Sequence, residues 1–336
     1  MTAVVTGASG HVGAALVRAL LAKGRPTRSL VHINSLAVAG LDTEIVVGDV
    51  CDVASLYRAF RGAEVVYHLA ATISLAMDDW PRVEAVNVFG TRHVVEACLG
   101  CGVHRLVHFS SIHALVQEPM GVPVDESRPL VTSRRCPPYD RSKAAAELEV
   151  RRGIERGLDA IIINPTAIIG PYDYQLSYFG EALLSMARHR LPALVSGGFD
   201  WVDVRDVVEG ALRAEELAPK GARYLLSGHW VSVREIANMV SGITGVAPTR
   251  VVLPLWLARL GAPIVRAFSY LNGREPLYTS VSLRALCSNR HISHERAKRE
   301  LGYQPRPFRE TLVDTLRWYK ENGYLHPSRK VGGKSL

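Results

Sequence analysis

The chain alternates between short apolar runs and longer segments in which apolar residues recur every three or four positions. Runs such as Ala3–Thr6 have the length and β-branched content of buried strands, while the spacing over His11–Lys23 is typical of an amphipathic helix. The pattern predicts strands at Ala3–Thr6, Thr27–His32, Glu44–Val47, Val65–Leu69, Leu106–Phe109 and Ala160–Ile163, and helices at His11–Lys23, Val53–Phe60, Asp79–Cys98 and Tyr139–Arg156. Apolar strands that alternate with helices predict an α/β fold, in which a doubly wound parallel sheet is covered on both faces.

The pattern changes after Pro171. Gly198–Val207 is typical of a short strand followed by a helix start, and Arg223–Leu226 of another strand, so both are expected to return to the sheet or its rim. Residues 231–325 are mainly helical in pattern. We therefore predict a first domain over 1–171 with 199–228 returning to it, a smaller, mainly helical lobe over 172–198 and 229–325, and a flexible tail over 326–336.

Three glycines spaced three apart join the first strand to the first helix. Gly7 permits a tight turn, Gly10 has no side chain to hold phosphates away, and Gly13 lets the helix pack close to the strand. The free N–H groups at the helix start then face an anion. The arrangement is typical of a Rossmann-type dinucleotide-binding turn, although glycine turns that bind nothing are common, so the interpretation needs support elsewhere.

Support comes from a tyrosine and a lysine four residues apart. Tyr139 and Lys143 lie on one face of a helix whose start is favoured by two preceding prolines. An ammonium beside a tyrosine lowers the phenol pKa toward the working range of an acid–base catalyst. Ser111 follows a strand, where ligand-binding groups of open α/β sheets lie, and can bond a carbonyl oxygen. The alternatives are an ordinary solvated helix face and a capping serine.

The order and spacing of these motifs resemble the extended short-chain dehydrogenases/reductases of the epimerase/dehydratase superfamily. The stretch Asn164-Pro165-Thr166…Gly170-Pro171 and the C-terminal pattern most resemble its dihydroflavonol 4-reductase and 3β-hydroxysteroid dehydrogenase branch. The resemblance implies a catalytic triad of Ser111, Tyr139 and Lys143, with Asn87 in a supporting position. With the glycine turn, it implies a cofactor-binding set of Thr6, Gly7, Ser9, Gly10, His11, Val12, Gly13, His32, Asp49, Val50, Leu69, Ala70, Ala71, Tyr139, Lys143, Asn164, Pro165 and Thr166. Asp49 matches the position that contacts adenine in the family.

The choice of cofactor depends on the end of the second strand. No acid follows Leu30 up to Ser35, and an acid there would bind the 2′-hydroxyl of NAD. NADP(H) is therefore the expected cofactor, and NAD(H) remains an alternative because His32 stands where the reductase branch often has Arg. Arg28 shares a face of the strand with His32.

Aromatic residues after Pro171 are candidates for the substrate site. Tyr172, Tyr174 and Tyr178 are interpreted as a wall of the substrate pocket, and the alternative is that they anchor a surface loop to the core. His113, two residues after Ser111, either contacts substrate or is a satisfied histidine beneath the loop.

Composition limits the class of protein. The net charge of +8 is spread along the chain, which argues against nucleic acid and suits an anionic cofactor. Five cysteines are expected to be free thiols in a reducing cytoplasm, no metal-ligand spacing is convincing, and no signal peptide or membrane span is recognised. The apolar stretch Val251–Leu271 is expected to be a buried helix, with peripheral membrane contact as the alternative. The resemblance implies a homodimer through the helices at 79–98 and 139–156.

The sequence thus predicts an NADP(H)-dependent oxidoreductase. It would reduce a ketone or aldehyde of a hydrophobic or aromatic small molecule, or oxidise the alcohol, by tyrosine-assisted hydride transfer. The alternatives are a nucleotide-sugar epimerase or dehydratase that retains NAD, and a non-catalytic dinucleotide-binding sensor.

Overall fold

A computed structural model describes residues 2–260 and 279–325. Its largest element is a seven-stranded, fully parallel sheet. The strands of the chain are β1 Ala3–Thr6, β2 Thr27–Val31, β3 Glu44–Val47, β4 Val65–His68, β5 Arg105–Phe109, β6 Ala160–Pro165, β7 Ala167–Ile169, β8 Leu194–Val195, β9 Gly198–Asp203, β10 Arg223–Leu226, β11 His229–Ser232 and β12 Val252–Leu253. The order in the large sheet is β10-β6-β5-β4-β1-β2-β3.

Helices cover both faces of this sheet. They are α1 His11–Ala22, α2 Val53–Phe60, α3 Trp80–Val83, α4 Gly90–Cys101, α5 Pro138–Glu155, α6 Tyr178–Ala187, α7 Val204–Leu217, α8 Val233–Thr244, α9 Ser280–Ala285, α10 Glu295–Leu301 and α11 Phe308–Glu321. On one face, side chains of β1 and β4 pack with α1 and α7; on the other, alternate residues of the same strands pack with α2 and α4. The predicted Rossmann-type, doubly wound α/β fold is confirmed.

The six strands predicted in the first half all form, within two residues of their expected ends. The predicted helix Asp79–Cys98 is wrong as a single α-helix: a π-helical segment, Glu84–Phe89, interrupts it, and α4 continues to Cys101. Gly102 ends α4 in the left-handed conformation, with φ of 66°.

The segment after Pro171 contributes strands both to the large sheet and to a separate small sheet. β10 extends the large sheet beside β6, and α7 packs on α1, whereas β9 pairs with β7 and β11 in a separate three-stranded sheet. This small sheet packs with α6, α8 and α11 around a second apolar core. In the apolar stretch Val251–Leu271, Trp256 and Leu260 are exposed rather than buried, and residues 261–271 lie outside the described residues, as does the predicted tail 326–336.

Within residues 2–260 and 279–325, no helix is both long enough and apolar enough to cross a bilayer.

A charged network holds together the amino-terminal end of the large sheet. The carboxylate of Glu215, on α7, accepts hydrogen bonds from both terminal nitrogens of Arg25, at 2.6 and 2.7 Å, and from the hydroxyl of Tyr67. The Arg105 guanidinium donates to the Glu215 carbonyl oxygen and, at 2.6 Å, to Asp159. Burial and the adjacent carboxylate raise the pKa of Tyr67, so its hydroxyl keeps its proton and donates.

We expect Glu215→Gln to destabilise the fold, because Arg25 would keep a largely buried charge without its anion. Removing one partner of such a pair costs about 3 kcal/mol. The control is Glu209→Gln on the same helix, whose partner Arg213 is exposed, so the loss should stay within about 0.5 kcal/mol. Urea unfolding of the two variants measures the difference, and equal losses would contradict the prediction.

Candidate active site

The glycine turn follows β1 at the carboxyl end of the sheet. Gly7 has φ of +67°, and a Cβ on it would lie 2.7 Å from the backbone nitrogen of Ala70. A Cβ on Gly13 would lie 2.2 Å from the Gly7 carbonyl oxygen and 2.8 Å from the Cα of Ala8. Gly13 is therefore needed because α1 packs directly against the turn as well as against β1. Gly10 stands at the N-cap of α1 and brings no side chain to the turn.

A chain of hydrogen bonds fixes the strands beside the turn. The Thr91 hydroxyl donates to the Asn87 carbonyl oxygen at 2.6 Å, so it must accept from His68 Nε2 at 3.0 Å. His68 Nδ1 then accepts from the Thr6 hydroxyl at 2.9 Å. Burial lowers the pKa of His68 to about 3, so the ring is neutral, as this chain requires. Thr6 also accepts the backbone N–H groups of Leu69 and Ala70, both at 3.2 Å. The Thr6 side chain thus ties β1 to β4.

Ser111, Tyr139 and Lys143 come together between the end of β5 and the start of α5. Ser111 is buried and hydrogen-bonded to Tyr139. The Ser111 Oγ also accepts the backbone N–H of His113 at 3.2 Å. The buried Lys143 ammonium donates to the carbonyl oxygen of Phe109 at 2.8 Å. The sequence-predicted triad is thus placed together at one site.

The pKa of Tyr139 differs from the expectation that Lys143 lowers it. Desolvation raises the pKa of Tyr139 to about 12, against the opposing effect of its hydrogen bond with Ser111. The predicted lowering of that pKa by Lys143 is wrong for the chain alone, because the Lys143 ammonium is directed to Phe109. Burial lowers the pKa of Lys143 to about 8, and the charge of Glu147 opposes this.

Asn87 lies within the π-helical segment and connects two parts of the site. Its Nδ2 donates to the Thr72 carbonyl oxygen and to the Ser142 Oγ, both at 2.9 Å, and its Oδ1 accepts the Thr72 N–H at 2.8 Å. Ser142 Oγ donates to the carbonyl oxygen of Tyr139 at 2.8 Å. Asn87 therefore holds the helical turn that carries Tyr139, in keeping with the supporting position that the resemblance implies.

Asn164, at the end of β6, supports the site through hydrogen bonds. Asn164 is fully buried, and its Nδ2 donates to the Ser111 carbonyl oxygen at 2.9 Å and to Glu147 at 2.7 Å. Glu147 also pairs with Arg223 of β10. Sequence reasoning missed Glu147 and Arg223, although Glu147 continues the four-residue spacing of Tyr139 and Lys143 along α5. Cofactor contacts of Asn164, Pro165 and Thr166 stay predictions.

At the end of β2, His32 Nε2 lies 3.3 Å from a carboxylate oxygen of Asp49, and both side chains are exposed. Val50, the next residue, is buried. Arg28, which shares a strand face with His32, lies at the opposite end of β2 and donates to Glu44 and to two backbone carbonyl oxygens. Its guanidinium is therefore committed away from the end of the strand where a ribose would lie.

Tyr172 and Tyr174, which follow Pro171, connect α1 to α11, and we call these contacts the clasp. The Arg18 guanidinium of α1 donates to the Tyr174 hydroxyl at 2.8 Å and lies over the rings of Tyr172 and Tyr174. Both rings meet Trp318 of α11 edge-on, at 6.3 and 5.0 Å between centroids. Tyr172 and Tyr174 thus have the loop-anchoring contacts that the alternative interpretation describes, and contact with substrate stays a prediction.

The two other candidate substrate residues have different surroundings. Tyr178 is the first residue of α6. His113 lies beside Tyr139, with ring centroids 6.3 Å apart, and its Nδ1 is 3.6 Å from Asp140.

The same loop also closes on the glycine turn. His11 Nε2 donates to the Pro171 carbonyl oxygen at 3.0 Å, and the Gln175 amide donates to the Ser9 carbonyl oxygen at 3.2 Å. The imidazole of His11 is therefore held by the loop.

These residues fit a dinucleotide. Gly7 and Gly13 adopt a turn that a Cβ would disrupt, and the first N–H groups of α1 lie at that turn. Lys143 places a buried cation at the same edge of the sheet. The turn and α1 would hold the pyrophosphate, and Tyr139 and Lys143 would hold the nicotinamide end.

Comparison with known proteins agrees with this fit. Residues 3–226 match the NAD dependent epimerase/dehydratase family. The chain is 37% identical over 331 residues to "Sterol demethylase protein B" of Methylococcus capsulatus, covering 97% of this chain and all of that protein. It is 32% identical over 327 residues to "Putative dihydroflavonol 4-reductase" of Synechocystis, covering 96% and 95% of the two chains.

Two further matches extend the comparison. The chain is 32% identical over 265 residues to UDP-glucose 4-epimerase of Mycolicibacterium smegmatis, covering 73% of this chain and 83% of that protein. The crystal structure of gox2253 superposes with a TM-score of 0.84 and 36% identity, covering 97% of this chain and 99% of that chain.

The fold and the site define an enzyme of the NAD(P)-dependent oxidoreductase class. The chain belongs to the NAD dependent epimerase/dehydratase family, that is, to the extended short-chain dehydrogenases/reductases, and its relatives include dihydroflavonol reductase-like proteins.

We expect Gly13→Ala to lower stability, because the added Cβ would overlap the Gly7 carbonyl oxygen and push α1 off the turn. Such overpacking costs about 1–3 kcal/mol. Gly242→Ala in α8 is the control, since no atom of the described residues lies within 4 Å of the added Cβ, and it should be neutral or stabilising by up to about 1 kcal/mol. Thermal unfolding of both variants without cofactor measures this. A Gly13→Ala variant as stable as the wild type would show that the packing of the turn is not tight.

Proposed function

We propose that the protein is an NADP(H)-dependent reductase of a ketone or aldehyde on a hydrophobic small molecule, or the dehydrogenase of the corresponding alcohol. The observation that carries the proposal is the hydrogen-bonded pair of Ser111 and Tyr139 beside the buried ammonium of Lys143. A proton donor, a second hydroxyl and a fixed cation at the carboxyl ends of parallel strands are what carbonyl reduction needs.

Each residue has a role that follows from its position. Ser111 and Tyr139 bond the substrate carbonyl oxygen, and Tyr139 gives it a proton while the carbonyl carbon gains a hydride. When bound, the nicotinamide supplies that hydride, or accepts it in the reverse direction. Because the pKa of Tyr139 is raised to about 12, its phenol is protonated at neutral pH and ready to act as the acid. Lys143 orients the cofactor ribose, and Asn87 keeps the first turn of α5 in place.

The substrate class is argued from the relatives. One relative is named for sterol demethylation and another for dihydroflavonol reduction, so both names refer to molecules with apolar rings. The second apolar core, which includes Leu183 and Ile236, lies in the smaller lobe that we assign to the substrate. A hydrophobic ring compound with a carbonyl or hydroxyl group is therefore the proposed substrate.

The epimerase alternative is favoured by the UDP-glucose 4-epimerase relative. That branch usually carries an arginine for the nucleotide phosphates near Gly198–Val204. Here Arg205, next to that segment, is committed to Asp203 at 2.7 Å and to Asp314 at 2.8 Å. It is therefore paired inside the protein, which weighs against a nucleotide-sugar substrate.

The proposed NADP(H) preference is supported by the absence of an acid between Leu30 and Ser35, whereas Arg28 is committed elsewhere and adds no support to it. His32 is the basic side chain at the end of β2, beside Asp49. NAD(H) stays the alternative cofactor.

The experiment that tests the proposal follows NADPH and NADH oxidation by the purified protein with ketosteroids, aromatic ketones, aldehydes and nucleotide sugars. Net oxidation with an apolar carbonyl compound supports a reductase, and the faster cofactor decides the preference. Interconverted sugar isomers with no net oxidation and tightly held NAD would overturn it in favour of the epimerase.

We expect Tyr139→Phe to lose turnover by about 10²–10⁴-fold, the typical contribution of a positioned proton donor. Cofactor affinity should change little, because the ring and the helix remain. Initial rates and equilibrium binding of the dinucleotide separate the two effects. The control is Tyr57→Phe, an exposed tyrosine on α2, which should turn over normally. A Tyr139→Phe variant with full activity, or one that no longer binds cofactor, would contradict the assigned role.

A further inference from the structure

A buried ion pair lies one helical turn beyond Lys143. Glu147 of α5 is fully buried and pairs with Arg223 of the edge strand β10, whose side chain is also buried. The guanidinium donates as well to the backbone carbonyl of Glu126. Removing two charges from water is costly, and such pairs are often no more stabilising than apolar residues of the same volume. Stability alone is therefore a weak explanation for this pair.

We propose that Glu147 is a positioning residue that keeps Lys143 cationic, and so fixes the upper pH limit at which the site works. The inference rests on the proposed function for the role of Lys143. It adds Glu147, held by Arg223 and Asn164, to the residues on which the reaction depends.

Of the described groups that act on Lys143, Glu147 is the negatively charged one. From β5 come the Phe109 carbonyl oxygen, at 2.8 Å, and His108; from β4 comes His68. Burial lowers the pKa of both histidines, so both are neutral and contribute no negative charge. Tyr139, one turn earlier on α5, is neutral as well.

The position of Glu147 is fixed from two sides. Its Oε1 accepts from Asn164 at 2.7 Å, and the same amide nitrogen donates to the Ser111 carbonyl oxygen at 2.9 Å. Its Oε2 pairs with Arg223. The carboxylate thus joins α5, which carries Lys143, to the strand end that carries Ser111.

The sign of the effect follows from these charges. A negative charge near a lysine favours the protonated form, and a second positive charge disfavours it. In Glu147→Gln, Lys143 loses the anion, and the buried positive charge of Arg223 that Glu147 had balanced remains beyond it. In the double variant Glu147→Gln/Arg223→Gln, Lys143 faces neither charge. The midpoint for Lys143 deprotonation should therefore fall in the order wild type, double variant, Glu147→Gln.

The test is an NMR titration of protein labelled at the lysine ε-carbons, which is practical because the chain has few lysines. The Lys143 signal is assigned by its loss in Lys143→Arg. We expect Glu147→Gln to lower the midpoint by about one pH unit or more, since a neighbouring opposite charge is typically worth about 1–3 units. The double variant removes the unpaired Arg223 charge, so it preserves the test if Glu147→Gln fails to fold.

Glu149→Gln is the matched control. Glu149 lies on the same helix and is also buried, but it pairs with Arg92 and Arg152. In the Glu149→Gln variant, the midpoint for Lys143 deprotonation should equal that of the wild type. An unchanged midpoint in Glu147→Gln, or an equal shift in Glu149→Gln, would overturn the proposal.

The titration needs neither substrate nor turnover, so it is independent of the proposed function. If the carbonyl panel gives no reaction while the ordered shifts appear, the function fails and the charge relation stands. In an active enzyme, the alkaline limb of the kcat/KM profile should move with the same order of variants.

Discussion

The site depends on keeping one positive charge inside the protein. Lys143 is buried, and desolvation lowers its pKa to about 8 even with the opposing charge of Glu147, so without that charge its pKa would be lower still. The Phe109 carbonyl oxygen accepts its proton at 2.8 Å, and Glu147 supplies the opposing charge. Burial lowers the pKa of His68 and of His108 as it lowers that of Lys143, because each is surrounded by protein rather than water. Both histidines are therefore neutral. Ser111, Asn164 and the start of α5 are then held around this cation.

The two ends of the large sheet have different tasks. At the carboxyl end, the strands stop at a glycine turn, at the Thr6–His68–Thr91 chain of hydrogen bonds, and at Ser111, so polar groups face the place where a cofactor fits. At the amino end, Arg25 and Glu215 form a paired network that no proposed reaction uses. The candidate site thus lies at the carboxyl ends of the strands, where ligands bind in open parallel sheets.

Local patterns were sufficient for much of this structure. The strands of the first half follow from hydrophobic spacing, because each depends on residues close in the chain. The expectation that Ser111 lies with Tyr139 and Lys143 comes from the family resemblance, because these residues belong to different elements. The π-helical break at Asn87 could not be predicted in this way, since it accompanies contacts with Thr72 and Ser142 that exist only after folding. The pairing of Glu147 with Arg223 joins residues far apart in sequence. The raised pKa of Tyr139 follows from burial, which the spacing of a tyrosine and a lysine does not reveal.

The clasp of Arg18, Tyr174 and Trp318 has a consequence for how access to the glycine turn is controlled. Arg18 belongs to α1, which begins at that turn, and Trp318 to α11, which packs in the second apolar core. Between them lies the loop that closes on Ser9 through Gln175. Local opening of α11 would loosen this loop while the large sheet stays folded, because the two contacts share Tyr174 and not the strands. The glycine turn should therefore become open to solvent at a lower free-energy cost than unfolding of the sheet requires.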